Sequence, residues 1–402
     1  MISFIRRNTP SPPILKLFLF TGLVWAAVVG PTSAVLILVN AGAASRQIGI
    51  VTALCAVAGM AFQPVFGYVS DKIGSPRKVL AFCISISAVF FGLVLLSESL
   101  PVVAVLLILE SMFRSAVVPL LDSHILSETK AMPGLQYSHI RMAGSITFGS
   151  ISFYYSFVIS DSGVTAIIPI SIGITCLAVF WGLLMAKGRS EAPESSHLIV
   201  KKAKSHLRRD AAALFANKAF VMLVIFAGLS ALTVAPMFIF SIEFVMALGG
   251  TPGQVPFIHA LRCVVELPVF IFIGTKCKAT NPKKLMAIGA VLTLIFISGV
   301  FLAGTFPVLA LFHALAGAPG FILLLTGRMR YINIAVPEAV RSTSITLMGT
   351  GEIAVGSIAG NLIAGYIIGG FGLARLSILS FSAILLAMLC LCFMPGKNVE
   401  KY

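Results

Sequence analysis

The chain has 402 residues, 58% hydrophobic and only 11% charged, which excludes a soluble globular domain, where about a quarter of residues are charged. Its formal net charge of +15 does not indicate nucleic acid, because nearly all Lys and Arg lie in short stretches between apolar runs, as in the cytoplasmic loops of a polytopic membrane protein. The seven cysteines fall within or at the ends of apolar segments with no metal-type spacing, so they read as small apolar residues, with neither a disulfide framework nor a metal site.

A membrane helix needs about 20 mostly apolar residues. On that rule the chain order gives twelve spans: 14–39, 47–70, 78–97, 101–125, 137–160, 163–186, 219–248, 253–275, 284–304, 306–327, 341–369 and 373–394. The basic opening "MISFIRRNTPSPPILK" has no small-residue cleavage site after the first apolar run, so that run is expected to be a retained helix. Pro31, Pro64, Pro119, Pro236, Pro268 and Pro319 lie inside spans, which membrane helices tolerate where neighbours re-satisfy the backbone. One set of loops is rich in Lys and Arg and includes Lys72, Arg77, Lys78, Lys284, Arg328 and Arg330; the opposite set holds only Arg46 and Arg375. An even helix count then puts both termini on the cytoplasmic side of the inner membrane.

The longest loop, 187–218, divides the chain into six-helix halves at 1–186 and 219–402. Ile199 to Phe215 could lie as a basic amphipathic helix on an anionic membrane face, or the whole loop could be a solvated linker. The halves repeat: "GYVSDKIGSPRKVL" from Gly67 matches "GTKCKATNPKKLM" from Gly274, and "GSITFGSI" from Gly144 matches "GEIAVGSI" from Gly351, both at an offset of 207 residues. Parallel six-helix repeats are a recurring transporter plan, with a central site exposed to each side in turn. The expected fold class is an all-α membrane protein with twelve transmembrane helices in two six-helix halves.

Charges inside the spans mark functional candidates, since an Arg at a helix centre costs roughly 2.5–3.5 kcal/mol on insertion scales. The acids are Glu110, Asp122, Glu243, Glu266 and Glu352; the bases are Arg114, Arg141 and Arg262, with His313 as a titratable candidate. Glu110 with Arg114, and Arg262 with Glu266, stand four apart on one helix face, so internal pairing alone could account for them. Asp122 and Arg141 have no partner at helical spacing and are expected to meet across two helices. Glu352 is either a proton carrier or a packing residue, and Glu243 a mouth residue. Trp25 could stack an apolar sugar face or simply pack. Tyr154 and Tyr155 read as an outer aromatic belt, and His124, His139 and His259 as helix-end or loop-end residues.

Gly67, Asp71, Lys72, Gly74, Arg77 and Lys78 resemble the loop signature of the major facilitator superfamily between its second and third spans. The resemblance implies close helix approach at Gly67 and a gating latch at Asp71, which the second half lacks because Lys278 stands in its place. "PLLDSHILSETKAMPGLQYSHIRMAGS" is similar to the fourth-to-fifth span region of the lactose permease and phenylpropionate permease branch, where an acid pairs with an arginine. Asp122 and Arg141 fall on those positions, with the spacing shifted by one residue relative to lactose permease. "VVELPVFIFIG" resembles both the glutamate-bearing eighth span of lactose permease and a segment of bacterial sugar efflux transporters; "LFHALAGAP" places His313 near the histidine of the tenth span. The resemblance implies sugar contacts for Asp122, Arg141, Glu266 and His313, and proton coupling at the histidine. It departs in spans nine and ten: the ninth has no charge, and Ala316 holds the position of the branch's glutamate. A coupled proton would then ride on Glu266, Asp122 or Glu352.

No phosphate loop, nucleophile triad or Cys–His cluster is present, so no enzyme and no cofactor are expected. The expected activity is secondary transport of a small solute, a sugar foremost, with protons and the lipid bilayer as the other partners and a monomer as the working unit. Export of drugs or other hydrophobic solutes, and permeation of aromatic or organic acids held by Arg141, Arg114 and Arg262, stand as rivals. A transport-dead sensor using the 187–218 loop would be a different class.

Overall fold

A computed structural model describes residues 12–130, 137–186, 214–277, 279–337 and 340–395. All regular structure among them is helical, and twelve helices are long and apolar enough to cross a membrane. They are α1 (Pro13–Asn40), α2 (Ser45–Ile73), α3 (Pro76–Leu96), α4 (Leu100–Glu128), α5 (Ile140–Ser162) and α6 (Val164–Met185). After the long loop come α7 (Lys218–Ile239), α8 (Gln254–Thr275), α9 (Pro282–Leu302), α10 (Phe306–Ala335), α11 (Thr343–Phe371) and α12 (Leu373–Phe393). Most of the proposed amphipathic stretch, residues 199–213, lies outside the described residues.

The chain forms two compact units. The first comprises residues 1–37 and 58–194; the second comprises 38–57 and 195–402. Within the first, α1 packs on α5 and α6, and α3 packs on α4 and α6. Within the second, α7 packs on α11 and α12, and α9 on α10 and α12. The pairings correspond under the shift that relates the sequence repeats. A second likeness is in the turns: Gly163 (φ +85°, ψ 170°) and Gly372 (φ +84°, ψ 163°) each start a three-residue 3₁₀ helix that leads into α6 and α12. That backbone region is open essentially to glycine alone.

The N-terminal end of α2 belongs to the second unit and packs closely within it. A Cβ on Gly49 would lie 2.5 Å from the Asn361 carbonyl oxygen and 3.0 Å from Gly365 Cα. Ser45 Oγ donates to Glu243 at 2.7 Å, and the Arg46 guanidinium lies 4.8 Å over the Tyr366 ring. Glu243 is therefore tied to the end of another helix.

Proline shapes α1 in a way elementary hydrogen-bond accounting predicts. Pro31 has no N–H, which leaves the carbonyl of Ala27, four residues back, without its helical donor. Ser171 of α6 donates to that oxygen at 3.1 Å. Gly30 makes room for it, since a Cβ there would sit 2.5 Å from Ser171 Oγ. The seventh span is shorter than the expected 219–248: α7 contains Pro236, and the chain turns at Phe240 into a separate helix, Ser241–Ala247.

The tenth span corrects the sequence reading in the other direction. It was expected to end at 327, with Arg328 and Arg330 in a basic loop, but the helix runs on to Ala335 and buries Arg328 at 4% exposure. The apolar residues Tyr331, Ile332 and Ala335 carry the buried face on for two more turns. Arg330 instead donates to the Cys277 and Ile273 carbonyls at 2.6 and 3.4 Å, meeting the end of α8. Two stretches are π-helical, His313–Gly317 in α10 and Ile353–Gly360 in α11, and such irregularities occur frequently at functional sites.

Candidate functional site

Asp122 and Arg141 meet across α4 and α5, with Arg141 Nε 3.8 Å from Asp122 Oδ1. The Arg141 guanidinium lies 4.0 Å over the Trp25 ring of α1, a cation–π contact. The indole lies against Gly144, where a Cβ would fall 2.5 Å from Trp25 Cδ1, and Phe148 meets it edge-on at 6.3 Å. Arg141 and Gly144 are three apart on α5, so one face of that helix presents both the charge and the slot for the ring. Arg141 thus covers one face of Trp25, and of the two readings of this residue, sugar stacking or packing, that face is taken by the guanidinium. Trp25 Nε1 is buried and has no hydrogen-bond partner among the described residues.

The second unit carries a corresponding polar group. His259, Arg262 and Glu266 stand on one face of α8 at spacings of three and four. Arg262 Nη2 is 3.7 Å from Glu266 Oε1, and its guanidinium lies 5.8 Å over Phe321. The π-helical segment of α10 packs against α8 and brings His313 within electrostatic reach of Arg262 and His259. His313 is 1% exposed, edge-on to Phe296 at 4.8 Å, and neither ring nitrogen has a hydrogen-bond partner. His259 stacks on Phe238 at 4.3 Å, with Nδ1 buried and likewise unpartnered.

His259 lies in the second turn of α8, near the helix end as expected, but it joins the polar face of that helix with its Nδ1 buried. Its spacing to Arg262 and Glu266 was the available signal. His124, in the last turns of α4, is buried edge-on to Phe20 at 5.8 Å; Tyr155 is fully buried instead of lying in an interfacial belt, and Tyr154 is half exposed. The side chain of His139 lies outside the described residues. Among the described residues no three His, Cys, Asp or Glu side chains are placed to hold a metal ion.

Two other pairs are tight. Glu110 is 1% exposed, accepts from Ser87 Oγ at 2.7 Å and lies 3.0 Å from Arg114 Nε. Arg328 Nη1 of α10 is 2.9 Å from Glu352 Oε1 of α11. The length matters: at 3.7 or 3.8 Å two charged groups attract but do not hydrogen-bond, whereas at 2.9–3.1 Å they do. Arg141 and Arg262 are therefore held in place by charge without their forks being closed by the neighbouring carboxylates.

The loop between α2 and α3 is a glycine turn at Gly74 (φ +71°), followed by Pro76 opening α3. Asp71 and Lys72 are exposed, and Asp71 makes no ion pair among the described residues, so this structure does not show it latched. Gly67 corrects the expectation of close helix approach, since a Cβ there would have nothing within 4 Å. Arg77 and Lys78 follow the turn at the head of α3.

The comparisons agree with this architecture. The chain is 23% identical over 307 residues to the uncharacterized transporter YwbF of Bacillus subtilis (strain 168), covering 75% of this chain and 72% of that protein. A solved variant of the nucleoside transporter NupG superposes with a TM-score of 0.77 at 18% identity, over 95% of this chain and 99% of the other. A D-xylose-proton symporter superposes with a TM-score of 0.71 at 14% identity, over 97% and 100%. A family model described as "MFS_1 like family" matches residues 16–379. With twelve membrane-length helices and polar residues held within them, the chain belongs to the MFS_1 like family and is a multi-pass transporter of the major facilitator superfamily.

Proposed function

We propose that this transporter carries a small polyhydroxylated solute, a sugar foremost, across the cytoplasmic membrane by alternating access coupled to protons. It works as a monomer with both termini in the cytoplasm. The observation that carries the substrate class is the chemistry of the two loose arginine groups. Arg141 and Arg262 each sit beside a carboxylate at 3.8 or 3.7 Å and an aromatic ring. Near them lie buried nitrogens with no hydrogen-bond partner among the described residues: Trp25 Nε1 beside Arg141, and His259 Nδ1 and both His313 nitrogens around Arg262. A buried polar atom without a partner is costly. Solute hydroxyls, which donate and accept, suit a mixture of guanidinium, carboxylate, indole and imidazole groups. Two of the structural neighbours are named for D-xylose and for nucleosides, both solutes that carry sugar hydroxyls.

The test is reconstitution of the purified protein into liposomes holding a pH-sensitive dye, challenged with sugars, aromatic acids and cationic drugs. Sugar entry accompanied by a lumenal pH change is the expected result. Entry of aromatic acids alone would shift the reading to an organic-anion permease, in which a guanidinium fork holds the solute carboxylate. Movement of the drugs alone would make it an exporter of hydrophobic solutes.

A further inference from the structure

Charge alone does not orient an arginine. At 3.8 Å, Asp122 attracts the Arg141 guanidinium without the hydrogen bond that would set its plane. The Trp25 ring offers a second restraint, with the guanidinium carbon 4.0 Å from the ring centroid. A flat cation resting on a flat ring is held by cation–π attraction and by stacking, and both favour one orientation of the fork.

The ring is itself held. Gly144 of α5 faces it: a Cβ there would fall 2.5 Å from Cδ1 and 2.7 Å from both Cγ and Nε1, so the five-membered side of the indole lies on helix backbone. Any residue larger than glycine would push the ring out of this seat. Phe148 adds a second wall, at an interplanar angle of 71° to the indole. Arg141, Gly144 and Phe148 follow one another at spacings of three and four, which puts them on one face of α5. That face supplies the charge, the seat and the wall, and α1 supplies the ring that fills the space between them. A tryptophan that only filled space, or one that served as a sugar platform, would have no need of a guanidinium on its face.

We propose that Trp25 is a positioning residue: seated by Gly144, its ring face holds the Arg141 guanidinium in the orientation in which the two-pronged donor edge meets the solute. Arginine is long and rich in rotamers, so fixing it before the solute arrives removes an ordering cost from binding. The inference rests on the reading that Arg141 binds the solute, and adds that Trp25 and Gly144 act through it. The indole N–H is a separate group, and phenylalanine separates it from the ring face.

The experiment titrates purified variants with whichever compound of the panel of sugars, aromatic acids and cationic drugs enters liposomes fastest. W25L, which removes the ring, is expected to bind about tenfold more weakly, and W25F, which keeps a face without the N–H, to stay within about threefold of wild type. The deciding measurement is a double-mutant cycle: W25L/R141K is expected within about threefold of R141K alone, because a ring with no guanidinium to hold has nothing left to contribute. G144A displaces the ring without altering it, and is expected to cost about tenfold with Arg141 present and little in R141K, so the test stands even if W25L does not fold. Losses that multiply to about a hundredfold in W25L/R141K, or in G144A/R141K, would overturn the positioning role alone. A W25F as weak as W25L would overturn it too, by giving the work to the N–H. An R141K that binds as tightly as wild type would overturn the solute-site reading of Arg141 and this inference with it.

Discussion

An arginine inside a membrane span has two stable arrangements in this molecule, and distance separates them. Arg114 lies 3.0 Å from a glutamate that also accepts from Ser87, so Glu110 is fully used from within its own unit and braces α3 against α4. Arg141 is 3.8 Å from Asp122 and stacked on Trp25, a geometry that fixes the guanidinium plane while leaving its fork for another acceptor. Lysine would keep the charge but lose the planar, two-pronged donor. Arg141→Lys is therefore expected to weaken solute binding about tenfold or more, about 1.4 kcal/mol, by titration of the purified protein. Affinity equal to wild type would remove Arg141 from the solute site.

At the scale of helices, the break in α1 is matched by a neighbour. Pro31 frees the Ala27 carbonyl, and Ser171 supplies the missing donor at 3.1 Å across the glycine-lined contact of α1 with α6. Ser171→Ala would strand that carbonyl in a dry interface. Interhelical hydrogen bonds in membrane proteins are modest, so the expected loss is about 1 kcal/mol, seen as a lower thermal unfolding midpoint in detergent with solute affinity preserved. A midpoint matching wild type would show that the carbonyl finds another donor. The π-helical stretches belong to the same scale. They place His313 at the start of one and Glu352 just before the other, so the irregular backbone of the second unit coincides with its polar side chains.

At the scale of the molecule, the distribution of Lys and Arg carries a prediction about sidedness. The basic loops are those between α2 and α3, α4 and α5, α6 and α7, α8 and α9, and α10 and α11, all expected on one face by helix count. Epitope tags at residues 1 and 402 should both be protected from protease in intact cells and cleaved once the membrane is opened. Cleavage of either tag in intact cells would reverse or break the proposed topology. The two units, each built on the same helix pairings, are the structural counterpart of the 207-residue sequence offset.

By itself the sequence determined the number and approximate limits of the spans, because hydrocarbon thickness and the need to satisfy every backbone group leave helices of about 20 apolar residues as the solution. It also determined the repeat and most of the intramembrane charges, including the meeting of Asp122 with Arg141, since unpaired charges in spans require partners. Tertiary structure decided what each polar residue does. Helical spacing could not reveal that His313 lies near His259 and Arg262, because that proximity depends on how α10 packs on α8. Composition put Arg328 in a loop because a charge in a hydropathy window reads as the end of a span. The folded chain buries it because Glu352, on the next helix, supplies a counter-charge at 2.9 Å that no local window contains.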